Sequence, residues 1–165
     1  MTPDGNALPM AAVLLAQAMP SDADTSGACV QRAIDAARAA GAHPVVVVLR
    51  DGVAAPRDAR VVRVKPGAGW ISAVRSGMAL LANTPARLAL VWVPALDVVD
   101  ADARLATLVV AARRIGASVT AVSEGELSSG PVVVARDAWL DLLTLGEHGM
   151  QAVATRRGVH FLEPD

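Results

Sequence analysis

The stretch RLALVWV, residues 87–93, decides the fold of this chain. It lies between Pro85 and Pro94 and has no polar face to turn to water, so it predicts a short strand that is buried on both faces of a sheet. Residues 11–16 (AAVLLA) and 44–49 (PVVVVL) have the same character. Strands of this kind occur in parallel sheets covered by helices, so the three stretches predict interior strands of an α/β protein.

The rest of the sequence alternates between helical and strand patterns. Apolar residues recur at helical spacing over five segments, which are residues 28–40, 70–81, 101–115, 138–143 and 147–155. Four more strands are predicted at residues 60–64, 118–122, 132–135 and 159–162. This alternation predicts a single-domain, Rossmann-like, three-layer αβα fold with a mostly parallel sheet over residues 11–163, after a loose N-terminus at residues 1–10.

The composition argues against several kinds of partner. The chain has 15 Lys and Arg against 16 Asp and Glu, and only 2% of its residues are aromatic. A nucleic acid would therefore find neither excess positive charge nor stacking platforms. No run reaches the ~20 apolar residues of a membrane helix, and the apolar stretch 8–18 follows Asp4 rather than the positive segment of a secretory signal. With Cys29 as the one cysteine, these features favour a cytoplasmic protein without disulfides.

Three segments carry a family resemblance: residues 27–49, residues 69–81 (GWISAVRSGMALL), and residues 131–139 (PVVVARDAW) with the Gly-containing turn that follows. The second segment places a Gly, an Arg six positions on and a second Gly eight positions on, at Gly69, Arg75 and Gly77. Together the segments resemble the MobA-like nucleotidyltransferases, which include the enzymes that attach a nucleotide to the molybdenum cofactor. The resemblance implies a nucleotide-diphospho-sugar transferase-like fold.

The chain departs from that family's catalytic pattern at three places. The first-strand loop, where the resemblance implies nucleotide binding at Ala16 and Gln17, has no Lys or Arg and no Gly before Gly27, so it lacks the usual cradle for a triphosphate. The family's metal-binding Asp falls on Ala95, or on Val93 if the loop is shifted. Its Gly-His-Pro-type turn reads Ser-Gly-Pro at residues 129–131. We therefore predict a degenerate member of the family, with no catalytic residue.

Acidic residues near these loops keep a metal site open as an alternative. One of Asp97, Asp100 and Asp102 can coordinate Mg²⁺ if the loop after residues 87–93 shifts by two residues, and Asp97 is the candidate ligand. Asp100 and Asp102 are predicted to cap the next helix and to complement its dipole. We interpret Asp22 and Asp24 as part of a solvated loop, with a metal-binding pair as the alternative.

The turn before the second predicted helix is the strongest candidate for binding an anion. Lys65, Gly67 and Gly69 precede a helix N-terminus, where backbone N–H groups and an ammonium group can hold a phosphate. Arg75 follows in the helix and is predicted either to face the same crevice or to lie on the surface. The other interpretation of the glycines is a turn that needs their backbone freedom.

These observations support three hypotheses about function. The first is a pseudoenzyme that binds a protein partner or a small ligand such as a nucleotide, and needs no cofactor. The second is an active nucleotidyltransferase that uses Mg²⁺ and moves a nucleoside monophosphate from CTP or GTP to a phosphorylated, molybdopterin-type acceptor. The third is a scaffold subunit of a homo-oligomer, suggested by the positive mean hydropathy of so small a domain.

Overall fold

The computed structural model describes residues 8–16, 23–51, 54–94, 101–123, 127, 131–144 and 149–162. Its strands are β1 (Met10–Leu15), β2 (Ala42–Arg50), β3 (Arg60–Val64), β4 (Leu88–Trp92), β5 (Val119–Ala121), β6 (Val132–Ala135) and β7 (His160–Phe161). Its helices are α1 (Ala23–Ala39), α2 (Trp70–Leu81), α3 (Ala101–Ile115), α4 (Trp139–Thr144) and α5 (Gly149–Arg157), with a 3-10 turn at Arg136–Ala138 before α4. No helix among these residues is both long enough and apolar enough to cross a membrane.

All seven strands belong to one sheet, in the order β3-β2-β1-β4-β6-β5-β7. The pairs β2·β3, β1·β2, β1·β4 and β5·β7 are parallel, whereas β6 runs antiparallel to both β4 and β5. The sheet is therefore mostly parallel, as predicted, and the three apolar stretches of the sequence form its interior strands β1, β2 and β4. β6 follows β5 without an intervening helix, because antiparallel neighbours do not need the helical crossover that parallel neighbours require.

Two apolar cores cover the two faces of the sheet. On one face, α1 and α3 pack over Met10, Ala12 and Leu14 of β1; on the other, α2, α4 and α5 pack over Ala11, Val13 and Leu15. Because the side chains of a strand alternate between faces, β1 contributes equally to both cores. The result is the predicted three-layer αβα architecture. Cys29 lies buried on α1 in the first core, where burial raises the pKa of its thiol.

The bounds of α2 and α3 match the predicted helices, but those of α1 do not. The prediction began the first helix at residue 28, whereas α1 begins at Ala23, so Asp24 belongs to a helix rather than to a loop. Gly27 explains the error, because a glycine inside a helix costs only about 1 kcal/mol and packing overrides it. The last two helices are also displaced, with α4 and α5 both ending beyond their predicted ends.

Helix α2 packs so closely on the sheet that only glycine fits at its centre. A Cβ atom at Gly77 would lie 2.5 Å from Cγ1 of Val13 and 3.2 Å from Cγ2 of Val48. Both neighbours are fully buried and β-branched, so they have little freedom to move aside. The second Gly of the Gly–Arg–Gly pattern therefore has a packing reason: it lets α2 lie against β1 and β2.

We predict that Gly77→Ala destabilises the protein by about 1–3 kcal/mol, because the added methyl group overpacks the contact with Val13. Gly27→Ala is the matched control, since Gly27 is an exposed helical glycine with nothing within 4 Å of an added Cβ. That control should stabilise the protein by about 0.5–1 kcal/mol. Urea denaturation of both variants measures the difference. A Gly77→Ala protein at least as stable as the wild type would contradict the close packing.

Candidate functional site

The order of the strands locates a ligand crevice between β1 and β4. The chain passes from β1 through β2 to the sheet edge at β3, and then returns through α2 to β4 on the other side of β1. This reversal is a topological switch point, and ligands of open α/β sheets bind beyond the carboxyl ends of the strands that flank it. Leu14 pairs with Trp92, so the two strands end at the same level.

The loops that depart from the catalytic pattern leave the sheet side by side at this crevice. The loop after β1 begins at Ala16, which is buried and whose N–H donates to the carbonyl of Val48 at 3.0 Å. The loop after β4 begins at Val93 and the buried Pro94. Gln17, Ala95 and Asp97 lie outside the described residues, as do the side chains of Asp24 and Asp102 and the whole of Asp22 and Asp100. Their predicted roles stay predictions.

The Lys65 turn connects β3 to the N-terminus of α2, at the carboxyl ends of the parallel strands. The N–H of Ala68 donates to the carbonyl of Lys65 at 3.0 Å, and Gly67 adopts a φ of +83°, which explains a glycine there. Gly69 is the N-cap of α2; its backbone is extended, with φ of −75° and ψ of 173°, and it supplies no side-chain cap. Lys65 is exposed beside this uncapped helix start.

The register of the strands sets the distance between this turn and the crevice. Leu15 pairs with Val48, and Val48 pairs with Val62, so Lys65 lies three residues beyond the level at which β1 ends. Two strand spacings of about 4.8 Å separate β3 from β1. The Lys65 turn is thus about 10 Å to the side of the β1 end, on the rim that a nucleotide-sized ligand would span.

Arg75 connects α2 to α4. Its Nε and Nη2 atoms donate to the carbonyl of Leu143 at 3.1 and 3.0 Å, near the C-terminal end of α4, where helix carbonyls lack partners within the helix. The guanidinium is exposed, and two of its nitrogen atoms are used in this contact. Binding of an anion by Arg75 stays a prediction, and the contact that the structure shows is between two helices.

Asp141 on α4 forms ion pairs with two arginines of α5, a contact that the sequence analysis did not predict. Its carboxylate accepts a hydrogen bond from Nε of Arg157, and Nε of Arg156 lies 3.8 Å away. Asp141 is one of only two buried polar residues among those described, and the hydrogen bond from Arg157 holds the pKa of its carboxyl below the usual value. The one sequence signal was an acid within the apolar segment WLDLLT.

We predict that Asp141→Asn lowers the melting temperature at about pH 7, because Arg157 loses its charged acceptor. The folded-state pKa of Asp141 is depressed, so this contribution is present above the unfolded value of about 3.9 and is lost as pH falls through the folded value. The difference between wild type and variant should therefore narrow below about pH 4. Circular dichroism at about pH 7, 5 and 3 measures it.

Asp51→Asn is the control for this experiment, because Asp51 is exposed and takes no part in the described ion pairs. It should leave the melting temperature nearly unchanged at every pH. A pH-independent loss in Asp141→Asn would show that the carboxylate contributes through shape rather than through charge.

The described residues contain no group of three or more His, Cys, Asp or Glu side chains that could hold a metal ion. His43 is exposed on β2 and His160 is half-buried on β7, with four strands between them.

No protein-family model and no curated protein sequence matches this chain. Several solved structures do match this chain. Rv0371c from Mycobacterium tuberculosis superposes with a TM-score of 0.69 at 18% identity, covering 97% of this chain and 90% of that one. It has also been solved in complex with manganese, with a TM-score of 0.66 at 21% identity over 96% of this chain and 89% of that one.

Two further structures extend the likeness to proteins with known reactions. The 2-C-methyl-D-erythritol 4-phosphate cytidylyltransferase from Thermus thermophilus has a TM-score of 0.61 at 22% identity, over 93% of this chain and 88% of that one. UDP-glucose pyrophosphorylase complexed with UDP-glucose has a TM-score of 0.61 at 12% identity, over 96% and 92%. At these identities the likeness is one of fold, and the chain shares the α/β fold of these proteins.

Proposed function

We propose that this chain is a MobA-like protein that has lost nucleotidyl transfer and acts by binding, either of a phosphorylated small molecule at its crevice or of a protein partner. One observation carries the proposal. The parallel pairing of β1 with β4 places the ends of the two strands side by side, so the loop without Lys or Arg and the loop with Ala95 in the position of the family's metal-binding Asp start next to each other. Two departures that are far apart in the sequence thus affect a single site.

The chemistry of transfer explains why these departures matter. An acceptor oxygen attacks the α-phosphorus of a nucleoside triphosphate, that bond forms, and the bond to the pyrophosphate leaving group breaks. The protein contributes mainly position and neutralisation of negative charge, through cations, backbone N–H groups and a metal ion. The loop between β1 and α1 supplies no cation and adds Asp22. A carboxylate beside a triphosphate opposes binding unless a metal ion lies between them.

Without a cation in the loop after β1, the crevice keeps a site for a single phosphate at its rim. Lys65 is the only lysine of the chain, and it lies beside the uncapped N-terminus of α2. Helix N-H groups and an ammonium group together favour an anion there. This turn is therefore the part of the crevice at which we expect a nucleotide or another phosphorylated ligand to bind.

We predict that the purified protein transfers no nucleotide from CTP or GTP to a molybdopterin-type acceptor above background, with Mg²⁺ or Mn²⁺ present. Release of pyrophosphate is the readout. The alternative, an active enzyme with Asp97 as its metal ligand, is supported by the manganese complex of Rv0371c. Metal-dependent pyrophosphate release that disappears in Asp97→Ala would establish that alternative and overturn the loss of transfer.

We predict that CTP and inorganic phosphate bind weakly at the Lys65 turn, and that Lys65→Ala weakens binding by about tenfold, since a charge-assisted contact contributes on the order of 1–2 kcal/mol. Because Lys65 is the only lysine, reductive ¹³C-methylation labels its ammonium group and the N-terminal amine alone, and keeps the positive charge. The Lys65 methyl signal should shift during titration.

Arg104→Ala on α3 is the control for this titration, because Arg104 is exposed on a helix that covers the opposite face of the sheet. It should bind CTP and phosphate as the wild type does. Saturable binding that leaves the Lys65 signal and the amides of Gly67 and Gly69 unmoved would place the ligand elsewhere and contradict the proposed site.

A further inference from the structure

Positive charge is concentrated in one short part of this chain. Residues 50–65 contain five basic residues and two acidic ones, a net charge of +3. The chain as a whole has 15 basic and 16 acidic residues, so the remainder has ten and fourteen, a net charge of −4. The overall charge of −1 is therefore the sum of a positive segment and a negative remainder.

The fold places this positive segment at an edge of the sheet. β3 is the outermost strand beside β2; Arg60 and Arg63 are exposed on it, and Arg57 is exposed in the turn before it. We call this surface the basic edge. The ion pairs seen between described residues join Asp141 to Arg156 and Arg157, and none joins a described carboxylate to Arg57 or Arg60. Arg38 of α1 adds a further cation, because its Nη2 atom donates to the carbonyl of Asp58.

The backbone of β3 has hydrogen-bonding groups directed away from the sheet. The N–H of Asp51 donates to the carbonyl of Val64 at 3.1 Å, which fixes Val64 as a residue whose backbone faces β2. Successive residues of a strand face opposite sides, so Val62 and Arg60 also face β2, whereas the backbone of Val61 faces outward. In the part of the chain that the structure describes, no strand pairs with β3 on that side.

We propose that the basic edge binds an acidic, extended segment of another protein, which adds to the sheet as a strand beside β3. The backbone of the partner would exchange hydrogen bonds with Val61, and its carboxylates would pair with Arg57 and Arg60. The half-buried Val61 and Val62, which follow Arg60 on β3, provide apolar contact. The proposed contacts use Arg57, Arg60 and Val61 and do not use Lys65, so the proposal stands whether or not the crevice holds a phosphate.

Charge and backbone geometry together select this occupant. A second copy of the chain, pairing β3 with β3, would bring arginines of the two copies together and oppose itself. A nucleic acid would match the charge. Its phosphates can accept a hydrogen bond from the outward N–H of Val61 but cannot donate one to the carbonyl of Val61. An acidic polypeptide in extended conformation satisfies both requirements.

The test uses the full chain and a synthetic ten-residue peptide of alternating Glu and Val, with a Lys-Val peptide and single-stranded oligo-dT as comparison probes. We expect the Glu-Val peptide to bind and the Lys-Val peptide not to. The double variant Arg57→Glu/Arg60→Glu should weaken binding about tenfold, and so should raising the salt from about 50 to about 300 mM. The matched control, Arg104→Glu/Arg114→Glu, reverses two exposed charges on α3 and should change binding less than about twofold.

Hydrogen exchange distinguishes strand addition from simple attraction of charges. The amide of Val61 should exchange quickly in the free protein and become protected when the Glu-Val peptide binds. Val61→Pro removes this outward donor, a change that an edge strand tolerates, and should reduce peptide binding about tenfold while the fold is retained by circular dichroism. If that variant unfolds, the exchange experiment on the wild type still decides.

Three outcomes would overturn the proposal. The Glu-Val peptide could fail to bind, in which case the arginines only protect the edge from aggregation. It could bind while the Val61 amide stays unprotected. Oligo-dT could bind as tightly as the peptide, which would make the basic edge a surface for polyanions in general.

Discussion

Complete burial of β1 on both faces is the constraint on which the rest of this structure depends. Each of its six residues is at most 1% exposed. A central strand with no polar side must be flanked by strands on both edges and covered by helices on both faces, which is the arrangement seen. The side chains of Ala11 and Ala12 take little space on the two faces of the strand, and Gly77 lets α2 approach it closely. The strand that stabilises the domain also ends at the crevice, so its packing sets the position of the loops there.

The same burial explains why much of the fold could be predicted from the sequence. A strand such as LALVW has the same apolar character on both sides, and that pattern survives without knowledge of its neighbours. Helices α2 and α3 were predicted with correct bounds because their apolar faces are long and end in clear signals. The start of α1 was missed because Gly27 resembles a boundary, and whether a glycine ends a helix depends on packing that the local sequence does not contain.

The contacts that hold the helices of the α2 face together could not be predicted in this way. Arg136 donates to the carbonyls of Ala82, Thr84 and Ala86 and lies 4.9 Å from the ring centroid of Trp139. Arg75 reaches the carbonyl of a residue 68 positions away. An arginine that binds backbone carbonyls leaves no complementary residue in the sequence, so it looks like a surface charge. The Lys65 turn was identifiable because its cation, glycines and helix start are contiguous.

Electrostatics divides the molecule into two regions with different capacities. At the switch point, the loop after β1 has no cation to offset Asp22, in a chain whose remainder beyond residues 50–65 carries a net charge of −4. Interactions between exposed charges are largely screened beyond about 8 Å at physiological salt, so the arginines of the basic edge contribute little at the β1 end, two strands away. Lys65 lies between the two regions. Lys65 and the arginines of the basic edge therefore favour anions on the β3 side of the crevice, whereas the loop after β1 offers an anion no Lys or Arg.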